Sequence, residues 1–365
     1  MSENIRRFKI VFNSLKKLCP EEPTGNYARR LTTLSYLITG TIAAKSCQLP
    51  SIATKVVDDR QADSKIKKFY RWLKNKNVTD ECYFLPYAQA LLSVLCSNPN
   101  TIAIAIDGSI VARNCITLMA SVIYKNRALP ICWLVLTGSK GHLNESVHIK
   151  LVKKLKKIIP LKASVVFLGD GEFDGLNLIK TIKKYGWLFA LRTSKNRILM
   201  ERDESFSFRS LCPLHNEEYF WIPDVRFVQA DSPKFDAIVW HNKNYQDPIY
   251  LLTNIEPVRE SLFWYRKRFK IETMFSDKKS RGFNIHKSHI SDPERVARLL
   301  IVTALAYIFI IYFGILAIKN GYIKNVHRKD RCDLSLFTLG MRTLEFLLNH
   351  HKKMTRSIQL CLFSP

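Results

Sequence analysis

The sequence predicts an α/β protein built on a mixed sheet, and three observations carry that expectation. An apolar, β-rich run, Thr101-Ile102-Ala103-Ile104-Ala105-Ile106, stops at Asp107-Gly108-Ser109. Two more strand-like runs, 116–124 and 129–136, follow it, joined by the polar turn Lys125-Asn126-Arg127. Helical periodicity then alternates with short strands: a helix over 144–159, a strand over 163–168, a helix over 175–185 and a strand over 187–191.

Asn144 is placed to cap the first of these helices. The order strand, strand, strand, helix, strand, helix, strand predicts a ribonuclease-H-like core. In such a core three antiparallel strands are extended by parallel ones through helical crossovers. A doubly wound dinucleotide fold would alternate from the start and carry a glycine-rich first turn, and the chain has neither GxGxxG nor GxxxxGK[ST].

Residues 1–98 read as a helical region, with apolar residues at helical spacing over 28–44 and 64–75. Residues 99–193 form the first part of the core. From 194 to 254 the helical period gives way to short strands separated by Pro, Asp and Asn, which predicts a β-rich insertion. Residues 255–320 supply the second part of the core, and 321–365 a C-terminal helical region. Leu299 to Ile318 carry no charge over 20 residues, long enough to span a bilayer. Thr303, Tyr307, Tyr312 and Gly314 within the run favour a buried core helix instead.

The charge balance narrows the function. The 365 residues include 57 Lys and Arg against 31 Asp and Glu, a net charge of +26 that points to a polyanionic partner. A hydrophobic content of 47% excludes a disordered chain. Over residues 1–80 there are 16 basic against 7 acidic side chains. The stretch Lys65 to Lys74 interleaves cations with aromatics, so Lys67, Lys68 and Arg71 are expected to contact DNA. Packing through Ile66, Phe69, Tyr70 and Leu73 is the competing explanation of the aromatics. The nine dispersed cysteines contain no CxxC pair, which argues against a disulfide framework or a structural zinc site and leaves most of them as small buried hydrophobes. No secretion signal is read at the N-terminus.

Asp107 and Asp170 each stand where an apolar strand stops, and each precedes a glycine. On neighbouring strands their carboxylates would converge, and converging carboxylates call for a bridging hard cation. Strand-end Asp-Gly pairs are also ordinary turn residues. Asp174 is expected only to cap the following helix, and Glu172 is not expected to be a ligand. Downstream, Tyr265, Arg268, Glu272 and Lys279 are separated by 3, 4 and 7 residues. On one helix they would fall at roughly 0°, −60°, −20° and −40°, a single narrow face.

This Tyr-x2-Arg-x3-Glu-x6-Lys signature resembles that of the DDE transposases in the bacterial group named after insertion sequence four. The resemblance runs from about Thr101 to Met341. It implies a catalytic and metal-binding triad of Asp107, Asp170 and Glu272 holding two Mg²⁺ ions, with Mn²⁺ able to substitute. Tyr265, Arg268 and Lys279 would contact DNA. It also implies cut-and-paste cleavage and strand transfer at insertion-sequence ends, on terminal inverted repeats and target DNA. A homodimer on DNA and a cytoplasmic, nucleoid-associated bacterial location follow, with no membrane. In this group a tryptophan of the insertion can stack on a flipped base; Trp221 and Trp240 are the candidates, with core packing the competing role. The sequence departs from the family at Gly171, where Arg is common, a departure that bears on a phosphate contact there and not on the metal ligand. The alternatives are a catalytically inactive DNA-binding derivative and a basic protein anchored by 299–318.

Overall fold

The computed structural model describes residues 2–19, 21–97, 101–138, 143–211, 218–229, 231–242, 245–328 and 332–363. The expected boundary between residues 98 and 99 and Cys212 lie outside them.

Six helices precede the sheet: α1 (Glu3–Lys17), α2 (Gly25–Ala44), α3 (Leu49–Ala53), α4 (Ala62–Lys74), α5 (Asp80–Tyr83) and α6 (Leu85–Leu95). On α4 the apolar spacing buries Phe69, Trp72 and Leu73. Tyr70, which the packing alternative placed inside, is 43% exposed, with the Arg295 guanidinium 5.0 Å from its ring.

The sheet opens with β1 (Ile102–Ala112), β2 (Cys115–Tyr124) and β3 (Arg127–Thr137), then α7 (Glu145–Lys156), β4 (Val165–Gly169), α8 (Leu176–Lys184) and β5 (Leu188–Arg192). β1, β2 and β3 pair antiparallel, and β4 and β5 join β1 in parallel. Asn144 caps α7, its side chain accepting from the Ser146 N–H. β1 does not stop at Asp107 as expected. It runs on to Ala112 because β2 continues to pair with it, Asp107 facing Met119 and Ser109 facing Thr117.

Residues 194–254 hold β6 (Ile198–Glu201), β7 (Glu204–Ser207), β8 (Tyr219–Phe227), β9 (Phe235–Trp240) and β10 (Ile249–Thr253). The two short runs expected at 219–222 and 225–228 form one strand with an irregularity between Ile222 and Val225. These strands extend the same sheet, giving ten strands in the order β3-β2-β1-β4-β5-β10-β9-β8-β6-β7.

Four helices complete the described chain after α9 (Val258–Lys267): α10 (Lys270–Lys278), α11 (Pro293–Lys319), α12 (Ile323–Val326) and α13 (Leu336–Asn349). The start of α11 follows ordinary signals, with Pro293 in its first turn and the Asp292 side chain accepting from the Arg295 N–H at 2.8 Å. Its apolar stretch is long enough to cross a membrane, yet here it is entirely buried. It packs against α2, α4, α13 and β3. At the α11–α13 crossing the backbones touch: a Cβ on Gly340 would collide with the Ile310 carbonyl oxygen, and one on Gly314 with that of Leu336. Only glycine permits that approach.

The eight cysteines among the described residues are free. Cys47, Cys115 and Cys132 are buried, but Cys82, Cys332 and Cys361 are exposed, so burial is not the general case expected for them.

Candidate active site

The register of the parallel pair brings two carboxylates together. β1 and β4 pair up to Ala105 opposite Leu168. Asp107 and Asp170 each lie two residues beyond those positions, Asp107 within β1 and Asp170 just past the end of β4. Such strands lie about 4.8 Å apart. Both are held by short local bonds: Asp107 Oδ1 accepts from the Gly108 N–H at 2.7 Å, and Asp170 Oδ1 from the Glu172 N–H at 3.1 Å.

An open cleft of about 520 Å³ forms over this edge. Asp107, Asp170, Glu272 and Lys279 all line it, together with Ser109 and Glu172. Burial, and after it the neighbouring Asp170 charge, pushes the Asp107 carboxyl up to about 7.

The expected single helix carrying the four-residue signature is not continuous. α9 ends at Lys267 and α10 begins at Lys270. The junction is overwound: the Arg268 N–H bonds to Tyr265 O at 3.0 Å and the Ile271 N–H to Arg268 O at 3.1 Å, both three residues back. No proline or glycine stands there. The break falls at Phe269, whose ring stacks on Tyr245 and lies 4.2 Å from the Arg268 guanidinium carbon.

The four side chains consequently divide. Tyr265 and Arg268 are buried, 0% and 4% exposed, behind the cleft, while Glu272 is exposed at its edge. Lys279, just past α10, donates from Nζ to Ser109 Oγ at 2.7 Å. Arg268 Nη2 is 2.8 Å from Glu272 Oε1, but its Nε and Nη1 have no hydrogen-bond partner among the described residues. A buried guanidinium with open N–H groups suits a planar oxyanion.

Two residues in the cleft were not anticipated. Ser109 carries no chemical signal of its own beyond its place two residues after Asp107. Glu172, not expected to matter, accepts from the Leu143 N–H at 2.7 Å and stands 3.4 Å from Nε2 of buried His148. Asp174 does not cap α8. It accepts from Thr193 Oγ1 and Arg197 Nη2, and Glu145 takes the capping role by accepting from the Leu178 N–H at 2.8 Å.

Elsewhere, Lys68 is bound to Asp58 at 3.1 Å and lies over the Tyr36 ring, whereas Lys67 and Arg71 are exposed. These three stand on α4, outside the cleft. Trp240 is buried beneath the Arg266 guanidinium, and Trp221 is 45% exposed with its indole N–H on Asp236.

The donor set is hard carboxylate oxygen in a cleft roomy enough for water, which suits a divalent ion that keeps part of its hydration. Among the described residues, though, no three His, Cys, Asp or Glu side chains stand close enough to surround one ion. Glu272 points to Arg268 instead.

Residues 101–309 match the transposase DDE domain family, and the chain belongs to that family. It is a DNA transposase, an enzyme that cleaves DNA and transfers the cut strand with the help of a divalent metal. Among solved structures it is similar to the piggyBac transposase in a synaptic complex with hairpin DNA. The two share 10% identity at a TM-score of 0.47, over 95% of this chain and 80% of that one. No curated protein matches the sequence.

Proposed function

We propose that the chain is a cut-and-paste transposase of the insertion-sequence-four group, acting through Asp107, Asp170 and Glu272. The observation that carries this reading is that Asp107 and Asp170 each stand two residues beyond the Ala105–Leu168 pair of the parallel strands, with Glu272 and Lys279 on the same cleft. The strand order β3-β2-β1-β4-β5 supports a ribonuclease-H-like core.

The three carboxylates would hold Mg²⁺, with Mn²⁺ as a substitute. When bound, the metal supplies Lewis acidity at the attacked phosphodiester. The chain's own groups do the rest. Lys279, anchored on Ser109, presents its ammonium to a non-bridging phosphate oxygen. Arg268, bonded to Glu272 at 2.8 Å, would add its positive charge toward the same backbone from behind that carboxylate. Tyr265 fixes Arg268 from behind, its ring 5.9 Å from the guanidinium carbon. The helical region 1–98 would bind the terminal repeats through Lys67 and Arg71, with Lys68 contributing less. Work on two element ends implies a homodimer on DNA, in the bacterial cytoplasm at the nucleoid, with α11 as a core helix.

Single-turnover cleavage of a duplex carrying an element end tests this. Cutting should require Mg²⁺ or Mn²⁺ and should fall about a thousandfold or more in Asp107→Asn and in Asp170→Asn. A gel shift should show retained DNA binding in both. Metal-independent cutting, or full activity of either variant, refutes the reading.

A further inference from the structure

A second groove, of about 730 Å³, is walled by the outer face of α7 and begins at Ser146, three residues along the chain from Leu143 of the cleft. Lys150, Lys153 and Lys157 line it at spacings of 3 and 4 residues, a single stripe opposite the buried His148, Leu151, Val152 and Leu155. All three are exposed, and none makes an ion pair among the described residues. Leu134 of β3 and Leu85 and Glu81 of the helical region line the side facing α7. Lys154, also in the groove, is different: it is clasped by Asp80 and stands 3.8 Å from Glu81, tying α7 to the preceding helices.

Three like charges on successive turns of one helix repel one another. A polyanion laid along them would relieve that repulsion and release its own counterions. The stripe also has a direction. α7 begins just after Leu143, which lines the catalytic cleft and is bonded to Glu172 there. From Lys150 to Lys157 is 7 residues, roughly 10 Å of helix rise, about the length of three base-pair steps. The lysines thus follow, along α7, from the chain segment at the lip of the cleft, spaced to meet successive phosphates.

We infer that this groove holds the sugar–phosphate backbone of the double-stranded DNA flanking the bond being cut. Lys150, Lys153 and Lys157 would act as phosphate contacts blind to base sequence. The proposal rests on the reading of Asp107, Asp170 and Glu272 as the cutting site.

The test is fluorescence anisotropy of the full-length protein on a random-sequence duplex of roughly 30 base pairs across a salt series. The triple variant Lys150→Ala/Lys153→Ala/Lys157→Ala is compared with a charge-matched control, Lys184→Ala/Lys319→Ala/Lys324→Ala, from exposed sites elsewhere. The slope of log K against log salt should be shallower than the control's by roughly 2 to 3 in the groove variant. Equal slopes in the two variants would overturn the groove assignment. A reduced slope accompanied by full cleavage in Asp107→Asn would keep the groove as a DNA contact and remove the cutting site, so the two failures are separable.

Discussion

Charge is buried in two regions of this protein on opposite terms. Behind the cleft, Arg268 is nearly sealed from solvent with two N–H groups unbonded, and burial beside Asp170 lifts the Asp107 carboxyl to about 7. At α10, Asp277 forms a buried pair with Arg127 of β3 at 3.2 Å, with the Tyr307 hydroxyl donating to the same carboxylate at 3.4 Å. That second network is closed: cation, anion and hydroxyl meet one another and lock α10 to β3 and α11. The first is open, holding unmet donors and crowded carboxylates beside an entrance. Buried polar groups are ordinarily satisfied, and the open network departs from that rule beside the cleft. Lys278 complicates the division, since its buried Nζ also lacks a hydrogen-bond partner among the described residues, away from the cleft lining.

Breaking the closed network should have the largest effect on stability. Arg127→Met leaves Asp277 buried and unpaired and should cost about 3–5 kcal/mol in urea denaturation. The double variant Arg127→Met/Asp277→Leu should recover most of that loss. No recovery would mean that the two groups do not form a closed unit.

Lys278 should respond in the opposite sense. Burial lowers its ammonium from 10.5 to about 7. Between those values the unfolded chain holds a proton that the folded chain lacks, so stability rises with pH through that window and is lowest below it. Lys278→Met should stabilise by about 1–3 kcal/mol at neutral pH and flatten that rise. A loss of stability would show that the ammonium has a partner in the folded protein.

The open network should show a smaller effect of opposite slope. With the Asp107 carboxyl raised from 3.8 to about 7, the folded chain keeps a proton that the unfolded chain releases. Its contribution is fully present below the unfolded value and is lost as pH rises through the folded one. Asp107→Asn should therefore gain stability relative to the parent at about pH 8 and little at about pH 4. Added Mg²⁺ should raise the parent's midpoint at the higher pH and leave the variant's unchanged. The smallest effect belongs to α4, where Lys68→Ala should weaken DNA binding less than Lys67→Ala or Arg71→Ala, because Lys68 already serves Asp58. Equal losses in gel shifts would erase that distinction.

Much of this was legible in the sequence because strand-period runs and cap residues are local signals. The three strands before α7, the Asn144 cap and the two carboxylates at the sheet edge all come from such signals. What escaped depends on distant partners. The continuation of β1 past Asp107 is set by β2, and nothing in Asp107-Gly108-Ser109 announces it. The overwound junction at Arg268 and Phe269 contains no helix breaker and coincides with packing against Tyr245. The β6–β7 hairpin is short and polar, with little alternation to detect. Asp174 looks like a cap next to a helix, and only the fold brings Thr193 and Arg197 to it. Glu172 looks incidental until Leu143, just before α7, and His148, within it, are placed against it.

Glu272 is where the account is most exposed, since it faces Arg268 at 2.8 Å rather than closing a ring with Asp107 and Asp170. Single-turnover cutting of an element end by Glu272→Gln, with Mn²⁺ and a parallel gel shift, tests it most directly. The account predicts a loss of about a thousandfold or more in cleavage with DNA binding and thermal stability retained. Cleavage at the parent rate would contradict it, leaving Glu272 as no more than the surface partner of Arg268.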